Sequence, residues 1–175
     1  MNALWAQLFV HHDDLEHVLR VVVRLAVAIL LGGVVGYERQ HVGKSAGMRT
    51  HMLVALGAAI FTLIPLEDGI KDLTRVIQGI AAGIGFLGAG TIIKLSDSTE
   101  IRGLNSAATI WLTAAIGMAV GAGWIWPSSV AVVMTWLILE YVHKLEPWLG
   151  CPPRHAPEAS QKASSPTQPL PPQRQ

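Results

Sequence analysis

The chain has 175 residues, of which 51% are apolar and only 14% charged, with a formal net charge of +1 at pH 7. A soluble domain carries about a quarter charged residues, and here the mean hydropathy is +0.41. That balance excludes a soluble enzyme domain, a disordered regulator and a nucleic-acid binder, the last because a charge near zero offers a polyanion no footprint.

The first 19 residues contain no Lys or Arg but do contain Asp13, Asp14 and Glu16. A cleaved secretory leader needs a positive start, so residues 1–17 read as a mature extracytoplasmic segment. His11, His12, Asp13, Asp14, Glu16 and His17 cluster there. Histidines suit zinc, copper or nickel rather than magnesium, and a solvated helix start is preferred to a metal site.

Five apolar stretches follow, at about 18–37, 51–66, 76–93, 104–123 and 127–141. They predict an all-α membrane protein with a five-transmembrane-helix bundle over residues 18–146. The region from Arg102 to Glu140 sets this expectation most firmly, because no charge lies between them. One helix over that length would run about 55 Å against a hydrocarbon core of about 30 Å, so the stretch turns back once. Pro65 and Glu67-Asp68 close the second stretch, and Pro127 opens the fifth. Trp124, Trp126 and Tyr141 sit where an interfacial aromatic belt belongs.

Counting Lys and Arg in the connections sets the orientation. Arg39, Lys44, Arg49, Lys94, Arg102, Lys144, Arg154, Lys162 and Arg174 fall on one side, and only Lys71 and Arg75 on the other. The richer side is cytoplasmic, which places the N-terminus outside and the C-terminus inside. Residues 147–175 hold eight of the ten prolines and nothing that can bury a core, so a disordered cytoplasmic tail is expected. The single cysteine, Cys151, permits no internal disulfide.

Small residues dominate the spans. Gly83, Gly85 and Gly88 spell G-x-G-x-x-G, but inside an apolar stretch that pattern is no nucleotide site. Gly32–Gly36, Gly79–Gly83 and Gly117–Gly121 stand at G-x-x-x-G spacing, and with Gly85, Gly88 and Gly90 they are expected to serve close helix packing. Such seams also suit a homo-oligomer. In the fourth stretch Asn105, Thr109, Thr113, Gly117 and Gly121 recur every four residues, with Ser106 beside the first. An asparagine wasted on lipid is costly, so Asn105 should face a helix, a partner protein or a watery pocket.

Arg20 and Arg24 lie inside the first stretch. Arg20 should snorkel outward, while Arg24 needs an internal partner, with Asn105, Gln78 or a carbonyl as candidates. Glu38 and Arg39 should close the first helix at the cytoplasmic face. The basic loop from Gly43 to His51, with Arg49, should then bind lipid phosphate or a partner, or anchor the topology. No H-E-x-x-H, G-x-S-x-G or Walker A pattern and no paired intramembrane carboxylates occur, so no catalytic residue, resident metal or cofactor is expected.

Four signatures resemble the MgtC/SapB family of bacterial inner-membrane proteins. They are Arg24 with Gly32-Gly33-Val34-Val35-Gly36-Tyr37-Glu38-Arg39, then Ala46-Gly47-Met48-Arg49-Thr50-His51, then Gly83-Ile84-Gly85-Phe86-Leu87-Gly88-Ala89-Gly90, and Ile101-Arg102-Gly103-Leu104-Asn105 through Thr109 to Trp111. The match covers about residues 18–143. The resemblance implies a membrane domain tied to growth in low magnesium and, in some pathogens, to virulence. It implies regulation of a membrane partner such as the proton-translocating ATP synthase or an ion pump, with Mg²⁺ or other ion transport as the alternative. Asn105 matches an asparagine functional in the family; Leu112 stands where virulence-type members carry a cysteine. Those members also carry a soluble C-terminal domain, where this sequence has the proline-rich tail. The expected contact residues are Asn105, Thr109, Arg24, Glu38, Arg39, Arg49 and Arg102.

Overall fold

The computed structural model describes residues 15–69, 72–94 and 101–142, and for 93–94 and 101–102 the backbone alone. The tail at 147–175, Cys151, and His11, His12, Asp13 and Asp14 lie outside the described residues. Among the described residues five α-helices follow one another: α1 (Leu15–His41), α2 (Met48–Glu67), α3 (Thr74–Gly90), α4 (Leu104–Gly121) and α5 (Ile125–Leu137). Between α3 and α4, β1 (Ile93–Lys94) and β2 (Ile101–Arg102) form a two-residue antiparallel pair, Ile93 opposite Arg102. A separate unit begins at Leu137, where Ile138–Val142 form a π-helical turn.

The protein is an all-α membrane protein. Among the described residues, four helical stretches are long and apolar enough to cross a bilayer: Leu15–His41, Met48–Glu67, Leu104–Gly121 and Ile125–Val142. The expected count of five such spans is thereby corrected. α3 has 17 residues, about 25 Å, and its helix ends at Gly90 because the chain then enters the β1 pairing. α1 is longer than expected at both ends and runs through Glu38 and Arg39 rather than closing on them.

The packing follows a membrane rule: small residues inside, large apolar ones outside. On α2 the buried set is His51, Ala55, Ala58, Ala59, Thr62 and Leu63, whereas Leu53, Phe61 and Ile64 are exposed. Ala28, Ala55, Ala59 and Val120 form one core cluster, and Val35, Ile116 and Val132 another. The backbones approach closely. A Cβ on Gly117 would stand 2.3 Å from the Ala55 carbonyl oxygen, and one on Gly121 2.5 Å from that of Ala59. Gly32 and Gly36 meet His51 and Met48 equally tightly.

That register makes α2 and α4 parallel, so the chain must return from the end of α2 to the start of α4, and α3 is the return leg. α3 leans on α4, where Gly88 lies against Ala107. Against α2 it leaves an open apolar groove of about 780 Å³, walled partly by Gly57, Gly79 and Gly83. A Cβ added at Gly79, Gly83, Gly85 or Gly90 would meet nothing within 4 Å, which corrects the expectation that these glycines serve packing. The spacing was right for a seam, but the face it marks is uncovered.

Candidate functional site

Three ionisable side chains are buried together at one end of α1 and α2. Glu38 is 7% exposed, Arg39 2% and His51 0%. Arg39 grips Glu38 in bidentate fashion: Nη2 donates to Oε1 at 2.5 Å and Nε donates to Oε2. Gly32 and Gly36 make the room, since side chains there would strike the α2 backbone. His51 Nδ1 donates to the Gly47 carbonyl oxygen at 2.9 Å, which in the neutral ring leaves Nε2 as an acceptor. Neither that Nε2 nor Arg39 Nη1 has a partner among the described residues.

The loop after α1 is sewn to this cluster. Lys44 N donates to the Arg39 carbonyl oxygen at 3.0 Å, Met48 N donates to Gln40 Oε1 at 3.3 Å, and Ala46 is buried. The arrangement fixes a loop around a neutralised charge pair. It does not present Glu38 as an open cation ligand, because both carboxylate oxygens already accept from Arg39. Among the described residues no three His, Cys, Asp or Glu converge on a metal-sized space.

The α4 stripe divides. Thr109, Thr113, Gly117 and Gly121 are buried, and both hydroxyls turn back onto their own helix, Thr109 Oγ1 to the Ser106 carbonyl oxygen and Thr113 Oγ1 to that of Thr109. Asn105, in the first turn, is exposed, so it does not face a helix of this bundle. Extending the α2–α4 register backward sets Thr113 level with His51 and Asn105 level with the loop after α1. Gly103 opens α4 at φ +95°, and any side chain there would collide with the Thr91 carbonyl oxygen.

Of the expected contact residues, the structure joins Glu38 and Arg39 directly. Arg49 is exposed at the start of α2, and Arg102 lies in β2. Arg24 belongs elsewhere: its Nη1 donates to the Gly121 carbonyl oxygen at 3.2 Å, at the far end of α4. A carbonyl, not Asn105 or Gln78, is its partner. His51 was absent from the expected set, although its place at the end of the Ala46–His51 signature was the available signal.

A family model described as the MgtC family matches residues 25–148. The chain belongs to the MgtC family. It is 45% identical over 113 residues to Protein SrpB of Synechococcus elongatus, covering 57% of this chain and 62% of that protein. It is 51% identical over 110 residues to Protein MgtC of Brucella abortus, covering 62% and 45% respectively. A third relative, "Putative magnesium transporter YhiD" of Escherichia coli K12, is 39% identical over 133 residues, covering 71% of this chain and 61% of that protein. The chain thus spans between about half and three fifths of the length of these MgtC-family relatives. No solved structure matches it.

Proposed function

We propose that this MgtC-family protein is a non-enzymatic, multi-pass protein of the bacterial inner membrane that serves adaptation to low Mg²⁺. It acts on a membrane partner, the proton-translocating ATP synthase or an ion transporter. One observation carries this reading: along a stripe that is otherwise packed inside the bundle, Asn105 alone is exposed. An amide turned to lipid forfeits its hydrogen bonds, whereas one turned to a protein partner keeps them. Glu38 supports the same reading. It is the one buried carboxylate among the described residues, and Arg39 neutralises it, so it offers a hydrated cation little.

The contact face comprises Asn105, Arg49 and Arg102 with the loop that Glu38, Arg39 and His51 hold, and Thr109 seats the start of α4 behind it. The excess of Lys and Arg on this side supports a cytoplasmic location, with the N-terminus outside and the tail inside. Asn105→Ala is expected to abolish growth support at low Mg²⁺ and capture of the partner while leaving the bundle folded. Unchanged growth and capture would remove the assignment.

A second reading, transport of Mg²⁺ or another ion, is favoured by the name of the Escherichia coli relative, putative magnesium transporter YhiD. Reproducible Mg²⁺ flux into liposomes containing this protein alone would put it first.

A further inference from the structure

At the opposite end from Glu38, a pocket of about 350 Å³ opens between the first turns of α1 and the turn joining α4 to α5. Glu16, Leu19, Arg20, Val23, Arg24, Gly123 and Ile125 line it. We propose that this pocket binds the phosphate of an anionic phospholipid, with Arg20 and Arg24 as the ligands and Leu19, Val23 and Ile125 as the bed for the glycerol and upper acyl chain.

Charge is the first argument. Arg20 and Arg24 stand one turn apart on the same face of α1, and among the described residues neither has a carboxylate within ion-pair distance. The ion pairs among the described residues are His17 with Glu67 and Arg39 with Glu38. Glu16 lines the pocket but pairs with neither arginine, leaving the lining with two positive charges and one negative. Guanidinium groups that are not paired within the protein at a membrane boundary find their counter-ion in the lipid headgroups.

Geometry is the second. Arg24 is half-buried and held: Nη1 donates to the Gly121 carbonyl oxygen at 3.2 Å, where the end of the α4 dipole favours a cation. Gly123, at φ +89°, lets the guanidinium lie against the turn, because a Cβ there would stand 3.0 Å from Arg24 Nη2. One N–H is thus used for anchoring and four remain for an anion. An arginine so fixed loses little freedom on binding, unlike a freely snorkelling one.

Depth is the third. α1 has 27 residues, about 40 Å, and exceeds a hydrocarbon core of about 30 Å by roughly 10 Å. With Glu38–His41 near one boundary, Glu16 and Arg20 reach the other. Trp124 and Trp126, exposed beside the pocket, are the residues that favour that interface. The same chemistry could be supplied by free phosphate, but the apolar bed selects a lipid.

Native mass spectrometry of the full chain in detergent, titrated separately with phosphatidylglycerol, phosphatidylcholine and inorganic phosphate, tests this. One tightly retained phosphatidylglycerol per chain is expected, preferred over phosphatidylcholine. Each of Arg20→Gln and Arg24→Gln should reduce the preference roughly fivefold, and Glu16→Gln should raise it. Should Arg24→Gln fail to fold, Arg20→Gln and Glu16→Gln still decide the matter, since both positions are exposed. Equal retention of the two lipids, a preference unchanged in Arg20→Gln, or inorganic phosphate displacing the lipid at equal concentration would overturn the proposal.

Discussion

Gly117 and Gly83 look alike in the sequence, each in an apolar helix at G-x-x-x-G spacing, yet they should respond to substitution in opposite ways. Gly117→Val drives a side chain into the α2 backbone at Ala55 and should cost about 1–3 kcal/mol. Gly83→Ala enters open space and should add about 0.5–1 kcal/mol through helix propensity alone. Unfolding midpoints in detergent check both. Glu38 makes a second residue-scale case. Glu38→Ala strands the Arg39 charge in a buried site and should cost about 3–5 kcal/mol, as breaking buried pairs does. The double variant Glu38→Leu with Arg39→Met removes both charges and should recover much of that loss. A double variant no more stable than Glu38→Ala would show that the pair matters for something other than charge balance.

The helices themselves were legible, because apolar runs bounded by charge and proline are the strongest signal a membrane chain carries. Boundaries were less so. Glu38 and Arg39 read as a polar stop, but their charges cancel within the bundle and α1 continues over them. Glycine spacing identifies a smooth face without saying what covers it: α2 lies against Gly117, while a Cβ at Gly79 or Gly83 would meet nothing within 4 Å. A strand pair of two residues each leaves no periodicity to find, and it is what shortens α3. Asn105 was recognisable as a costly residue, but only the packing tells which way it faces.

At the start of α3, Asp72 accepts from the backbone N–H of Thr74 at 2.9 Å. Hydrogen bonds from the Thr74 hydroxyl and N–H hold its carboxyl below the ordinary value of 3.8. A depressed carboxylate stabilises the helix start above that value and loses its effect as pH falls through the lowered one. Protection factors of the amides in the first turn of α3, taken against the intrinsic exchange rate at each pH, should therefore fall on acidification, and in Asp72→Asn they should not respond to pH over that range.

Over the whole molecule, two ends of one bundle carry different chemistry. One holds the Glu38–Arg39–His51 cluster, the loop it fixes and the exposed Asn105. The other holds the Arg20–Arg24 pocket and the His17–Glu67 pair at 2.8 Å. Parallel α2 and α4 require the first loop and the start of α4 to share one side. Cysteine-labelling of single-cysteine chains, built on Cys151→Ser, should therefore find positions 44 and 105, both exposed, accessible from the same face of the membrane. Accessibility from opposite faces would contradict the register between these helices.

We propose that the protein acts on a membrane partner through the Asn105 end rather than carrying Mg²⁺ itself. Measuring total cell Mg²⁺ and ATP together tests it most directly, in a deletion strain grown at low magnesium and expressing either the wild type or Asn105→Ala. The wild type is expected to change ATP at constant Mg²⁺, and Asn105→Ala is not. A wild type that raises cell Mg²⁺, with Asn105→Ala losing that rise, would contradict it and make transport the function.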